Sequence, residues 1–438
     1  MQMAVLEHYP NVPVKYSFIN RNSDMKLNFP AFEWLSKNIK DFSNIKLKSE
    51  EYEFLKSKCP YLSEEYLEYL KRFEFNPNED IELYFVIETN DQLQFGSEGS
   101  KSTTKQYISS KNVSNATDDI KSSSGNIELT VNGLWHSVIL YEIPLLSLIS
   151  EAYFKFVDTD WNMDNQAQNF RDKAMQMLSA GCIFSEFGTR RRRSFKVHDL
   201  IINELSQISK LSAKQSLLVE ASSSTAADAP AYGKVLGTSN VYLAKKYDLM
   251  PSGTVGHEWT MGIAALENTF ATGNKLALYK WHASFKGKLG IALTDTFGIK
   301  SFFENFDYFL SNNYVGIRHD SGNPLNLIES AINHYKSLNI DYKNKQIVFS
   351  DSLNTSSAIQ LNKICCKSGI GCAFGIGTFF TNDFKKASHP SSKSPAMNIV
   401  IKLVECGGIG CVKLSDDPGK HTGIKSDINR ALLELGLK

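Results

Sequence analysis

The sequence predicts an α/β protein whose parallel β/α units build a barrel, and three observations carry that expectation. First, a short apolar strand runs seven times into a polar, glycine-bearing corner: FSEFGTRRRR (184–193), LGTSN (236–240), GTVGHEW (253–259), LTDTFG (293–298), GIRHDSGNP (316–324), FSDSLN (349–354) and FGIGT (374–378). Second, helix-like stretches often follow, and strands alternating with helices pair in parallel. Third, the corners gather arginines, aspartates, one histidine and flexible glycines. In a (β/α) barrel, chemistry collects at the C-terminal strand ends, where these corners fall. Together they point to a site for an anionic, phosphorylated substrate.

In chain order, VPVKYSFIN (12–20) alternates like a strand with one buried face. A charged, helix-prone region covers 32–72, and ELYFVIE (82–88) reads as a strand. Residues 98–126 are rich in Ser, Lys and Asn, which predicts a mobile excursion between two strands. IELTVNGLWHSVILYE then reads as a hairpin with Asn132-Gly133 at its turn. The segment 220–233 is soft, and KASHPSSKSP (386–395) reads as a linker out of the barrel.

The best-defined unit spans 314–338. YVGIR is its strand and HDSG its corner. Asn323 is placed to cap a helix and Pro324 fits the first helical position. Leu325, Ile328, Ile332 and Tyr335 then share one helical face. KQIVFS, DSLN and a helix from about Thr355 repeat the plan, and GCAFGIG supplies the next strand.

Composition narrows the function. With 438 residues, 42% hydrophobic and 22% charged, the chain is globular in type, and a net charge of +1 gives no global field for nucleic acid or an anionic membrane. Anion binding must come from local charge. The seven cysteines form no CxxC and lack zinc spacing, which predicts reduced, mostly buried thiols in a cytoplasmic or nuclear protein. No stretch approaches the ~20 apolar residues of a membrane span, and the start MQMAVLEHYP lacks a basic signal-peptide region.

Several residues are suited to chemistry. Arg318 and Asp320 share a face at a strand end. Arg318 could grip a carboxylate or phosphate with its planar fork while Asp320 meets a ribose hydroxyl or metal; the plain alternative is a salt bridge between them. His257 lies in a glycine-rich corner, where an imidazole can act as acid, base or nucleophile. Asp295 could orient it, bind a metal, or cap a helix. In FGIGT, Gly375, Gly377 and Thr378 offer bare amides and a hydroxyl to a phosphate, without the P-loop or dinucleotide pattern. Phe187 and Arg190 place an aromatic face and a guanidinium in one corner. The run Arg190 to Arg193 could hold phosphates, nucleic acid or a nuclear import receptor, or begin a solvated helix.

Taken in order, the motifs LYEIPLLSLISEAYF (140–154), FSEFGTRRRRS, LGTSN, GTVGHEW, ALTDTFG, GIRHDSGNP, FGIGT and NIVIKL resemble the nicotinate phosphoribosyltransferases, closest to the fungal type. The likeness runs from about Asn11 to the C-terminus. It implies a type II phosphoribosyltransferase fold: an irregular barrel plus an α/β domain formed by both chain ends. The implied boundaries are 1–142, 143–385 for the barrel, and 386–438 packing back on the first. It implies that nicotinate displaces pyrophosphate from phosphoribosyl pyrophosphate, coupled to ATP hydrolysis through phosphorylated His257, with Mg²⁺ as cofactor, in a cytoplasmic homodimer. By the same resemblance Thr254 and Arg318 contact nicotinate, Phe187 stacks on its ring, Arg190 and Thr378 bind phosphate, and Asp295 and Asp320 surround the histidine, ribose and Mg²⁺.

Position 239 bears on base choice. Nicotinamide-using relatives carry aspartate where this chain has Ser239; a carboxylate there accepts from an amide and repels nicotinate, whereas serine can donate. Asn323 departs from the DSGDP usual among nicotinate enzymes and resembles the nicotinamide-using ones; Ser239 weighs more because it should face the ring substituent. The family also opens on D-x-Y-K-x-T-M, ahead of residues resembling MQMAVLEHYP, and the expectation is that the ring-stacking tyrosine of that half-site is missing and activity impaired. The competing readings are a nicotinamide phosphoribosyltransferase, a nucleic-acid-binding fold member, and an inactive truncated one.

Overall fold

The computed structural model describes residues 1–91, 102–222, 232–417 and 421–438. Two sheets organise it. The first is antiparallel, in the order Ile409–Gly410, Ile399–Cys406, Pro13–Asn20, Ser124–Leu134, Ile81–Asp91, Ser102–Ser109. In Pro13–Asn20 the alternating Val14, Tyr16 and Phe18 face the core, as a half-buried strand requires. The pairing of Pro13–Asn20 with Ile399–Cys406 joins the two ends of the chain.

The second sheet is parallel: Lys234–Thr238, Ile183–Glu186, Gly371–Ile376, Gln346–Phe349, Gly316–His319, Ile291–Leu293. This order is cyclic in the sequence. Each strand pairs with its chain neighbour, and the last returns to the first. Among the described residues one junction has no ladder, the seam between Lys234–Thr238 and Ile291–Leu293. Among the described residues the sheet is therefore open at that seam. Residues 251–256 run there, held to the near side by a single bridge, Thr238 to Pro251.

The glycine-bearing corners were legible as chain reversals, with four differences. The GTVGHEW corner follows that lone bridge, not a strand. Residues 102–126 are ordered: Ser102–Ser109 is an edge strand and Asp118–Lys121 a helical turn, while 98–101 lie outside the described residues. Asn132-Gly133 is no hairpin turn; it continues Ser124–Leu134, paired to Lys15 and Val14 of the first strand. The 386–395 stretch is closed by a small hairpin, Phe384–Lys385 with Lys393–Ser394.

The helix Pro324–Ser337 forms as its cap predicts, with the Leu325 amide donating to the Asn323 side chain at 2.9 Å. Leu325 itself is exposed, and Leu327 takes the inward place. The N-terminal half therefore presents a different stripe from the one spacing suggested. All seven cysteines are free thiols, five of them buried. One stretch, Trp135–Phe156, is long and apolar enough to cross a membrane, contrary to the sequence reading. Its Leu145, Leu146, Ile149, Ala152 and Phe154 are packed in the main core.

Candidate active site

The C-terminal ends of Ile291–Leu293 and Gly316–His319 bring Asp295 and Asp320 to His257. It opens the helix His257–Leu266 at the seam, and that helix is bolted to the antiparallel sheet. Trp135 Nε1 and the Tyr16 hydroxyl both donate to Glu258 Oε1, at 3.3 and 3.2 Å. Burial, with Glu142 nearby, pushes the Glu258 carboxyl up to about 8. Trp259 packs between Trp135, tilted against it, and Trp281, met edge-on, each 6.0 Å away between ring centroids.

The imidazole of His257 has four neighbours. Nδ1 lies 3.1 Å from Thr296 Oγ1. Nε2 lies 3.0 Å from Asp320 Oδ2, 3.6 Å from Asp295 Oδ1 and 2.9 Å from Lys413 Nζ. One proton serves Nε2 at a time. With it, the nitrogen donates to Asp320; without it, it accepts from Lys413. The nitrogen therefore has a partner in both protonation states. Burial holds the histidine below its ordinary value, with Lys413 acting in the same direction and Asp295 and Asp320 against it. A neutral imidazole at neutral pH is the nucleophilic form.

Each carboxylate is itself fixed. Asp295, fully buried, accepts from Ser321 Oγ at 2.6 Å and Lys413 Nζ at 3.0 Å, while its Oδ1 has no hydrogen bond. Burial favours its neutral form, but His257 and Lys413 pull it below its ordinary value. Asp320 accepts from Arg318 Nη2 at 2.7 Å and Ser350 Oγ at 2.6 Å. Against burial, Arg318 and His257 hold it well below the carboxylate range. The Asp320 corner turns at Gly322, whose φ of +81° suits glycine and where a Cβ would come 2.9 Å from Asp416.

Arg318 makes the internal salt bridge that spacing left open. Its Nε donates to Ser350 at 2.8 Å and its Nη1 to Thr254 at 2.7 Å, so the guanidinium spans the seam. Its fork is engaged by the protein, which corrects the picture of a free clamp. Thr254 is the receiving hydroxyl.

A second group lies at the neighbouring strand ends. The Phe187 amide donates to Ile376 O at 2.7 Å, and the ring covers Gly375 so closely that a Cβ there would come 2.5 Å from it. Gly377 approaches the Phe187 backbone, and Thr378 starts the short helix Thr378–Thr381, half-buried. Ser239 is exposed at the lip, its amide donating to Glu186 O at 2.8 Å. The Ser185 and Ser252 hydroxyls, 2.8 Å apart, tie this group to the loop before His257.

The arginine run divides by burial. Arg190 is exposed and reaches Glu142 at 3.3 Å. Arg191 donates to Ile399 O, and burial with Arg190 and Arg21 pushes it down to about 10. Arg192 meets Glu151. Arg193 is fully buried, donating to Ser394 and lying 3.6 Å over the Phe154 ring centre. A solvated helix start therefore does not describe Arg192 or Arg193.

Sequence reasoning missed Lys413 and Lys402. Burial with Lys413 and Arg21 pushes Lys402 down to about 8. Arg21, Arg190, Arg191, Lys402 and Lys413 form a mutually repelling set, with fewer anions than cations among them, and such a set favours an incoming polyanion. Lys402 lies inside the NIVIKL motif, but nothing in that motif singles out its lysine, and Lys413 in CVKL lies in no motif; the pairing of the chain ends is what brings them in.

The donor atoms of His257, Asp295 and Asp320 lie within 4.8 Å of one another, a spacing that could hold a metal ion. Lys413 Nζ already stands among them, so the ammonium supplies the positive charge. The cluster does not fit a resident divalent ion.

A cyclic parallel α/β sheet with an imidazole, two carboxylates and converging cations at its strand ends is the architecture of a phosphate-handling transferase. A family model described as "Nicotinate phosphoribosyltransferase (NAPRTase) family" matches residues 182–434, and one for its N-terminal domain matches 1–107. The nicotinate phosphoribosyltransferase of Saccharomyces cerevisiae is 38% identical over 100% of this chain and 92% of its own. A crystal structure of a protein from that yeast aligns with a TM-score of 0.86 at 37% identity, covering 100% of this chain and 95% of that one. The nicotinate phosphoribosyltransferase structure from Porphyromonas gingivalis aligns at 0.79 with 31% identity, covering 99% and 96%. The chain belongs to the nicotinate phosphoribosyltransferase family.

Proposed function

We infer that this enzyme transfers the phosphoribosyl group of phosphoribosyl pyrophosphate to nicotinate, giving nicotinate mononucleotide and pyrophosphate for NAD synthesis. The observation that carries the reading is His257 held between Lys413 and Asp320 at the seam of the parallel sheet. The pyridine nitrogen forms its bond to C1 as the C1–oxygen bond breaks, and the electron pair leaves with pyrophosphate. Positive charge grows on the sugar and negative charge on the leaving group. The set Arg21, Arg190, Arg191, Lys402 and Lys413 is suited to the second. Phe187 stacks on the ring, Thr254 with Arg318 lines the base side, and Gly375, Gly377 and Thr378 border the phosphate.

ATP is the co-substrate in this reading, and Mg²⁺ enters with the phosphates it accompanies. His257 Nε2 attacks the γ-phosphorus of ATP through its lone pair, with the ring proton on Nδ1 facing Thr296 Oγ1, and ADP leaves with the electrons of the broken bond. Lys413 then faces the phosphoryl group. Water later hydrolyses the phosphohistidine. Coupling follows from the two states of His257 favouring different conformations of the same cluster. The assembly is a homodimer.

Ser239 favours nicotinate over nicotinamide. Asn323 weighs less in the choice, because its side-chain oxygen caps the helix Pro324–Ser337. Incubation with phosphoribosyl pyrophosphate, ATP and Mg²⁺ should give nicotinate mononucleotide and no nicotinamide mononucleotide. Product from nicotinamide alone would overturn the base assignment. Gly375→Ala should push the Phe187 ring off its seat and raise the KM for nicotinate about tenfold, a cost in scale with small misplacements. Steady-state kinetics with each substrate varied checks it.

A further inference from the structure

Glu186 and His198 are the most deeply buried ion pair in the described part of the barrel, and the mechanism uses neither. Both side chains are 0% exposed, with Glu186 Oε2 3.2 Å from His198 Nε2. Glu186 ends the strand Ile183–Glu186, directly before Phe187. Its Oε1 accepts from the Gly188 amide, closing the corner around Phe187. Its Oε2 accepts from the Thr238 hydroxyl at 2.6 Å, and its backbone oxygen accepts from the Ser239 amide at 2.8 Å. The Thr238 hydroxyl also accepts from the Asn240 amide at 3.1 Å, fixing the next corner. One residue thus holds two corners that contribute nothing to each other in sequence.

We propose that Glu186 is a positioning residue for the pyridine base, the side chain that sets the Phe187 ring and the Ser239 hydroxyl at a fixed separation. The proposal rests on the reading that nicotinate lies between those two groups. A carboxylate suits the task because it is acceptor-only. One oxygen must take an amide N–H and the other a hydroxyl, in a place without water. A glutamine presents an NH₂ to one of those donors and must release it. The His198 ring is the buried neighbour on the far side, its Nε2 3.2 Å from Oε2. Although burial favours its neutral form, His198, Thr238 and Gly188 hold the Glu186 carboxyl below its ordinary value, so it stays an acceptor through the neutral range.

The test is a kinetic split in the full chain. Glu186→Gln should raise the KM for nicotinate at least tenfold, leave the KM for phosphoribosyl pyrophosphate within twofold, and change kcat less than threefold. Added to Phe187→Ala, it should cost less than twofold more, because it acts through that ring. Equal rises in both KM values, or additive effects in the double variant, would overturn the proposal. If Glu186→Gln does not fold, Thr238→Val removes one donor and leaves the carboxylate in place. It should raise the nicotinate KM severalfold with the other KM unmoved, and an unchanged nicotinate KM there overturns the proposal too. Phe187→Ala read alone separates the two levels. If it leaves the nicotinate KM unchanged, the base site itself is misassigned and the proposal falls with it. If it raises that KM while Glu186→Gln does not, only the role of Glu186 falls.

Discussion

His257→Ala should abolish the acid-labile phosphoenzyme formed from γ-labelled ATP and remove the stimulation of product formation by ATP. Coupling between two sites is commonly worth ~5–150-fold, and that whole factor should disappear while slow, uncoupled turnover remains. The expectation follows from the partners of Nε2. Asp320 and Lys413 serve the same atom in opposite protonation states, an arrangement useful at a nucleophile and superfluous at a structural histidine. Alanine removes the nucleophile and leaves the helix His257–Leu266 anchored through Glu258 and Trp259. The variant should therefore fold. Undiminished ATP stimulation would remove His257 from the coupling step.

Arg318→Ala should do two kinds of damage. The seam loses its crosslink to Thr254, and Asp320 keeps its partly buried charge with one cation gone. Loss of one partner of such a pair costs about 3 kcal/mol, and the KM for nicotinate should rise strongly. The pH dependence of the stability loss has a definite sign. Asp320 is held below its ordinary value, so the ion pair contributes fully above ~3.9, the unfolded aspartate value. The gap in Tm between wild type and variant should be full at pH 7 and shrink as pH falls toward the depressed value. A gap that widened in acid would contradict the pairing. Arg318→Lys should not rescue, because one ammonium cannot reach Ser350, Thr254 and Asp320 together.

Much of this was legible locally. Turn glycines, the Asn323–Pro324 helix start and the strand-end polar residues are each short-range signals, and six of the seven corners they mark follow a strand of the parallel sheet. His257, Asp295, Asp320, Arg318 and Thr254 do meet in one network. What local reading could not supply was partnership at long range. Arg193 reads as a surface charge until Ser394 and Phe154 enclose it. Residues 102–109 read as part of a mobile excursion because an edge strand needs only one apolar face, on which Ile108 is buried. Lys413 has no motif at all; its importance comes from a fold that returns the chain to its beginning.

That return has a consequence for how the protein comes into being. During synthesis the barrel strands and His257 leave the ribosome well before the strand Ile399–Cys406 and Lys413 do. Until those last residues arrive, the Pro13–Asn20 strand has one side open and Nε2 lacks its ammonium. Closing so long a loop is slow relative to local pairing. The cluster around His257 is thus completed by the last part of the chain to be made, and a message cut short downstream of Gly371–Ile376 leaves both the first strand and Nε2 without a partner that the full chain supplies.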